Sequence, residues 1–127
     1  MGTDFPIEEL RLRRPVWEAL AGMFLDTDVS LDRDSRVARL AASPYPIDEL
    51  ERILIDEVYP VCGRNLRVVA GVWSGFDPKW LEHEIRRRRA WPLRLLAPFH
   101  LGRFTMPRFD EWQATRAGVH ASRTREA

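Results

Sequence analysis

The sequence predicts an all-α protein, a compact single-domain bundle of about five to six short helices with an irregular C-terminal segment. Apolar residues recur at helical spacings of three and four, as at Val16, Leu20 and Phe24. Prolines separate such stretches at short intervals, and the one β-branched run has no second strand to pair with. A chain of 127 residues is long enough to bury one core.

Residues 14–27 form the stretch around which the rest of the chain is expected to pack. Pro15 suits the first position of a helix, where its missing N–H group would have no intrahelical partner. Trp17 widens the apolar stripe beyond one face, which is typical of a centrally buried helix. A short helix is expected before this stretch, and Pro15 is expected to end or kink it near Arg13.

The stretch that follows resembles part of a calcium-binding loop. Oxygen-bearing side chains occupy alternate positions: Asp26, Asp28, Ser30 and Asp32. The match then fails, because Leu31 stands where such a loop needs glycine and Val37 stands where it needs a bidentate glutamate. The stretch is therefore predicted to connect two helices, with Asp32 or Asp34 capping the next helix over residues 33–42.

The remaining helices are predicted from apolar spacing and from the prolines that flank them. In order, they cover residues 47–59, 66–73, 77–90 and 108–118. Asp77 and Pro78 give the third of these helices the clearest start, as its cap and its first residue. Residues 91–107 are expected to be irregular, and residues 1–118 to form one helical domain followed by a disordered tail over residues 119–127.

Composition points to a soluble cytoplasmic protein. Charged residues make up 31% and hydrophobic residues 45% of the chain, which is ordinary for a globular domain. No run approaches the length of a membrane span, and no basic start followed by an apolar stretch indicates a signal peptide. The single cysteine, Cys62, excludes an internal disulfide and fits a reducing compartment.

Charge is distributed unevenly along the chain. Residues 1–60 contain 13 acidic and 7 basic residues, whereas residues 61–127 contain 6 acidic and 13 basic residues. Within the first half, the outer face of the helix at residues 47–59 is predicted to be acidic and to bind a basic partner. The residues assigned to this acidic face are Asp48, Glu49, Asp56 and Glu57.

The second half contains four consecutive arginines, Arg86, Arg87, Arg88 and Arg89. They are the candidate contacts for nucleic acid, the alternative partner. Consecutive residues of a helix point in different directions around its axis, so these four are not expected to form one stripe along a phosphate backbone. Cations at the C-terminal end of a helix are also favoured by its dipole.

Few residues suggest chemistry. Cys62 has no histidine in its segment and is expected to be a small buried apolar residue. His83 has Arg87 at the i+4 position rather than a second ligand, which argues against a zinc site. An enzyme would need a site assembled from Asp26, Asp28, Cys62, His83 and His100, and their spacing does not suggest one. No catalytic residue, metal or cofactor is therefore predicted, and no role is assigned to Cys62, His83 or His100.

Two segments resemble a family of small uncharacterised bacterial proteins, a domain of unknown function. Members share W-x-A-L-x-x-x-F-L-D-T, which starts here at Trp17, and W-x-G-F-D, which starts at Trp73. The resemblance covers residues 14–90 and implies a small, cytoplasmic, mainly helical protein, without an activity that transfers to particular residues. Trp17 and Trp73 are both predicted to lie in the core.

Two functions follow as expectations. The first is a non-enzymatic protein-binding module, such as an immunity protein that neutralises a cognate bacterial toxin of basic charge. Immunity proteins are a common class among bacterial proteins of this size. The second is a helical protein that binds nucleic acid through its Arg-rich second half, with an affinity that falls steeply as salt rises. No membrane partner is expected.

Overall fold

The computed structural model describes residues 5–25, 27–63, 75–90 and 106–126. Within these ranges the chain is all-α and contains no strand, as predicted. The α-helices are α1 (Ile7–Ala21), α2 (Arg33–Ala41), α3 (Ile47–Ile53), α4 (Tyr59–Cys62), α5 (Pro78–Ala90) and α6 (Phe109–Glu126). Short 3-10 helices cover Gly22–Phe24 and Val29–Asp32, and a π-helical turn covers Leu54–Val58. None of these helices combines the length and apolarity needed to cross a bilayer.

Helix α1 continues through Pro15, so the predicted end of a first helix at this proline is wrong. A proline inside a helix costs about 3 kcal/mol, because it lacks the N–H that bonds the carbonyl four residues earlier. Residues on both sides of Pro15 enter the same core, including Leu10, Val16 and Leu20, and their burial offsets that cost. The helix ends at Ala21 and tightens into 3-10 geometry, earlier than the predicted end at residue 27.

Helix α1 is central, as predicted. It packs against α2, α5 and the π-helical turn. Trp17 is 1% exposed and Phe24 is fully buried, and both belong to one continuous apolar core. The prediction that Trp73 is buried, and the helix predicted over residues 66–73, lie outside the described residues, as does the segment 91–105.

The acidic loop before α2 contains a helix cap. The carboxylate of Asp28 accepts hydrogen bonds from the backbone N–H of Ser30 at 3.1 Å and from its hydroxyl at 2.7 Å. This carboxylate therefore provides a hydrogen-bond acceptor for a backbone N–H group at the start of the 3-10 helix Val29–Asp32. Helix α2 begins at the predicted residue, Arg33, and ends at Ala41.

Helix α3, the π-helical turn and α4 follow one another without interruption over residues 47–62. Pro60 does not end this helical segment, although the sequence predicts an end there. The widened π turn comes directly before Pro60, and a widened turn relieves the clash between the proline ring and the preceding carbonyls. The π-helical turn also changes the directions around the helix axis in which the side chains after it point, compared with a regular α-helix.

Helix α6 ends at Glu126, so the predicted disordered tail is wrong over residues 119–126. Val119 is fully buried in the core. The guanidinium of Arg123 donates hydrogen bonds to carbonyl oxygens at the end of α2, those of Leu40, Ala41 and Ser43, at 3.0–3.3 Å. Carbonyls at the end of a helix lack the usual donor four residues further on, so Arg123 joins the two helices by capping one of them.

Replacing Gly118 by alanine is expected to lower the free energy of unfolding by up to about 2 kcal/mol, because overpacking the contact between α6 and α2 costs about 1–3 kcal/mol. An added Cβ would lie 2.7 Å from Cγ2 of Val37, a side chain with little rotamer freedom. The helix-propensity gain of about 1 kcal/mol offsets only part of this loss. The measurement is denaturant unfolding followed by circular dichroism.

The matched control is Gly22→Ala, because an added Cβ at Gly22 meets no heavy atom within 4 Å. This variant is expected to gain roughly 0.5–1 kcal/mol from reduced backbone freedom. Equal changes in the free energy of unfolding for Gly118→Ala and Gly22→Ala would show that α6 does not approach α2 as closely as the structure indicates.

Candidate functional site

The four carboxylates assigned to the acidic face do not form one exposed patch. Asp48 and Asp56 are exposed, but Glu49 is half-buried and accepts hydrogen bonds from Arg52 at 2.6 Å. The side chain of Glu57 is only 13% exposed and points inward. The structure therefore corrects the predicted face, since Glu57 is unavailable to a partner and Glu49 already has one.

Glu57 belongs to an internal ion cluster between α1 and the π-helical turn. Its carboxylate accepts hydrogen bonds from Nε1 of Trp17 at 2.8 Å and from Nη1 of Arg13 at 3.1–3.2 Å. Nη2 of Arg13 lies 3.1 Å from Glu9 and 3.5 Å from Glu49. One buried guanidinium thus holds three carboxylates, and two of them, Glu49 and Glu57, are half of the predicted acidic face.

Aromatic rings enclose this cluster and remove it from water. The Cζ of Arg13 lies 5.1 Å from the ring centre of Phe5 and 5.2 Å from that of Tyr45. Burial raises the pKa of Glu57, whereas its hydrogen bond from Trp17 and the charge of Arg13 lower it. Burial also raises the pKa of Tyr45 to about 12.

A second cluster of the same composition joins the 47–62 helical segment to α6. Glu51 accepts hydrogen bonds from Nε1 of Trp112 at 2.8 Å and from Nη1 of Arg116 at 2.9 Å. The donors of both clusters are a tryptophan and an arginine four residues apart, Arg13 with Trp17 and Trp112 with Arg116. This i, i+4 spacing places each pair on one helix face, and it is the signal from which the sequence could have indicated both clusters.

The uneven charge of the two halves does not separate into two surfaces, because the halves pair with each other. Glu51 in the first half binds Arg116 in the second, and Arg33 binds Glu111 at 2.7 Å. Arg14 likewise binds Glu82 at 2.6 Å.

The four consecutive arginines diverge, as expected from their helix. Arg86 lies 3.2 Å from Glu82, and Arg87 lies 2.8 Å from Glu84. Arg88 is exposed, and the Cζ of Arg89 lies 4.0 Å from the ring centre of Phe5. Arg86, Arg87, Arg88 and Arg89 therefore do not track one line along the surface.

Of the three residues left without a role, two lie in the described part of the chain. Cys62 is 1% exposed, and burial raises the pKa of its thiol to about 12, so it is a poor nucleophile. His83 is exposed beside Lys79 and Glu82 in an open depression on α5. Among the described residues, no three histidine, cysteine or acidic side chains cluster in a way that could hold a metal. His100 and Asp26 lie outside these residues.

The sequence did not indicate the cavities that border α1. One, of about 310 Å³, lies between α1, α2 and the start of α5, with Gly22, Arg39 and Phe76 in its lining. A second, of about 290 Å³, lies between α1 and α5, with Arg14, Trp17 and Pro78 in its lining. Glu18 and Leu81 line both cavities, which therefore adjoin. We call the two together the α1 groove.

The floor of the α1 groove follows one face of α1, where Arg14, Glu18 and Gly22 are four residues apart. Gly22 leaves space because it has no side chain, and nothing lies within 4 Å of an added Cβ. Beside the groove, Trp80 is 42% exposed and stacks on Phe76 with ring centres 5.9 Å apart. An exposed tryptophan stacked on a half-buried phenylalanine thus adjoins a cleft with charged residues along its rim.

A comparison with known families matches most of this chain. The sequence model of a family described as a domain of unknown function, DUF7079, matches residues 11–117. The matched span contains the whole α1 groove and both tryptophan–glutamate–arginine clusters. No curated protein and no solved structure matches the chain.

Proposed function

Because the chain belongs to the DUF7079 family, a domain of unknown function, we infer its role from its own surface and propose a non-enzymatic protein-binding module. A segment of the partner protein occupies the α1 groove. The groove is open, and it extends along α1 between α2 and α5, so it suits an extended segment better than a compact small molecule.

The observation that carries this proposal is the exposed Trp80 beside the α1 groove. Trp80 stacks on Phe76, which lines the first cavity, while Pro78 and Lys79 line the second. Tryptophan and arginine dominate the binding energy of many protein interfaces, especially beside pockets that exclude water. Arg14 at the rim is held in place by Glu82, so little of its freedom remains to be lost on binding.

For the partner we propose a basic bacterial toxin, which makes the chain an immunity protein. Three carboxylates support this choice: Asp48 and Asp56 are exposed on the 47–62 helical segment, and Glu18 is exposed in the α1 groove. Such carboxylates accelerate the encounter with a basic protein. Complexes of this kind weaken as salt screens the long-range attraction.

Nucleic acid is the alternative partner, and the geometry supports it less. Arg86 and Arg87 already pair with glutamates, and the four arginines diverge around α5. A duplex-binding surface needs several cations along one line, because affinity depends on the number of phosphates that are neutralised together.

The test is affinity capture from the native lysate by the full chain, with and without nuclease, at two salt concentrations. Gly22→Phe fills the first cavity from an open position, and Ala121→Phe adds the same ring to an exposed position on α6 as a control. We expect the wild type and Ala121→Phe to retain one basic protein after nuclease treatment, and Gly22→Phe to lose it.

Other results would contradict the proposal. Equal retention by Gly22→Phe, with an unchanged circular dichroism spectrum, would place the partner elsewhere on the surface. Retention of nucleic acid alone, lost at higher salt and reduced by Arg86→Ala with Arg87→Ala, would establish the alternative. If nothing is retained under any condition, the protein-binding role is wrong.

A further inference from the structure

We propose that the α1 groove recognises a partner segment that presents one lysine or arginine side chain with an apolar side chain on one side of it. This inference rests on the proposed protein-binding role and adds to it the chemistry of the segment. It follows from the position of Glu18 between the two cavities, and from the other charged groups that line them.

Glu18 is the central charged group of the α1 groove. Its side chain is exposed, it lines both cavities, and it forms no ion pair or hydrogen bond with another residue in the described part of the chain. The nearest arginine on the same helix face, Arg14, is occupied by Glu82. The carboxylate of Glu18 is therefore available to a cation from outside, and such a pair is strengthened by the partial exclusion of water from the groove.

The remaining charges explain why only one cation fits. In the first cavity Arg36 is bound to Glu111, and the charge of the second carboxylate there, Asp32, acts on Arg36. Each cavity also contains one cation that has no partner within the described ranges, Arg39 in the first and Lys79 in the second. A second or third cation of the partner segment would meet one of these side chains, so positions on either side of the central cation are disfavoured for lysine and arginine.

Apolar surface in the second cavity favours an apolar side chain at the flanking position that enters it. Trp17, Pro78 and Leu81 line this cavity, whereas polar atoms make up most of the lining of the first cavity. Volumes of about 310 and 290 Å³ lie near the lower end of the range for ligand pockets. Each cavity therefore suits a side chain of the partner rather than a whole helix.

The test is selection of a phage-displayed library of random peptides on the full chain, in parallel with Gly22→Phe. We expect the wild type to enrich peptides that share one lysine or arginine next to an apolar residue, and Gly22→Phe to enrich none of them. A synthetic peptide of the enriched sequence is then titrated against the wild type and Glu18→Gln. We expect Glu18→Gln to weaken binding about tenfold, as for loss of a charge-assisted hydrogen bond.

Asp48→Asn is the matched control, since it removes one exposed carboxylate outside the α1 groove. Its effect on peptide affinity is expected to stay within about twofold, the size of a screened surface charge. Replacing the central cation of the peptide by norleucine should weaken binding to the wild type but not further weaken binding to Glu18→Gln.

The outcomes separate this inference from the proposed function. The inference is overturned if the enriched peptides contain no cation, or if the peptide binds the wild type and Glu18→Gln with equal affinity. If Gly22→Phe still loses peptide binding in that case, the groove remains a docking site. Failure to enrich any peptide, or equal enrichment by Gly22→Phe, would overturn the inference and the proposed use of the groove together.

Discussion

Replacing Trp17 by alanine is expected to lower the free energy of unfolding by about 3–5 kcal/mol, the usual loss for a large aromatic side chain removed from a core. Trp17 is 1% exposed and meets Phe5 edge-on, with ring centres 5.4 Å apart. The substitution leaves a cavity and also removes the N–H that binds the inward-facing carboxylate of Glu57. Guanidinium unfolding followed by circular dichroism measures the loss.

Two further variants separate the contributions of the cavity and of the lost indole N–H to this loss of stability. Trp17→Phe keeps most of the ring and removes the indole N–H, so its loss should be about 1–3 kcal/mol, the range for one hydrogen bond to a charged group, because Glu57 keeps its hydrogen bonds from Arg13. Trp80→Ala truncates the exposed tryptophan and should change stability by less than about 1 kcal/mol. A loss below about 1 kcal/mol for Trp17→Ala would mean that α1 is peripheral and that the fold is organised around another helix.

Sequence reasoning located the helices whose ends depend on local signals. Helix α5 starts at Pro78, beside the predicted cap Asp77, whose carboxylate accepts a hydrogen bond from the N–H of Trp80 at 3.2 Å. The predicted ends failed where tertiary contacts override local preference. Pro15 is tolerated inside α1 because both halves of the helix share one core, and α6 extends past Gly118 because Arg123 caps α2.

The candidate site was harder to predict, because it depends on distances across the fold. The acidic face assumes a regular helix over residues 47–59, whereas the π-helical turn changes the directions of the residues that follow it. Glu57 lies 40 residues from Trp17, and no local pattern links them. The α1 groove requires α2 and α5 on either side of α1, and single-sequence periodicity does not specify such packing.

Replacing Glu111 by alanine is expected to cost about 3–5 kcal/mol, because it leaves a buried guanidinium without its carboxylate. Arg36 is 1% exposed, and its Nη1 donates to Glu111 at 2.8 Å and to the hydroxyl of Thr115 at 3.2 Å. Burial lowers the pKa of Arg36, and its hydrogen bond to Glu111 opposes that shift. Within the described ranges its Nε has no hydrogen-bond partner, and its other hydrogen bonds go to the neutral oxygens of Thr115 and Val29, which do not balance the charge when Glu111 is removed.

A double variant tests why Glu111→Ala loses stability, with guanidinium unfolding as the measurement for both the single and the double variant. If the unpaired buried charge is responsible, adding Arg36→Met to Glu111→Ala should recover about 1–3 kcal/mol, because methionine fills a similar volume without a charge. Arg33 also binds Glu111, but it is partly exposed and can be hydrated when the carboxylate is removed. A double variant that is less stable than Glu111→Ala alone would show that the contact between α2 and α6 depends on the packing of Arg36 and not on its charge. The ion cluster would then be a consequence of that packing, since the apolar stem of an arginine can itself fill a core.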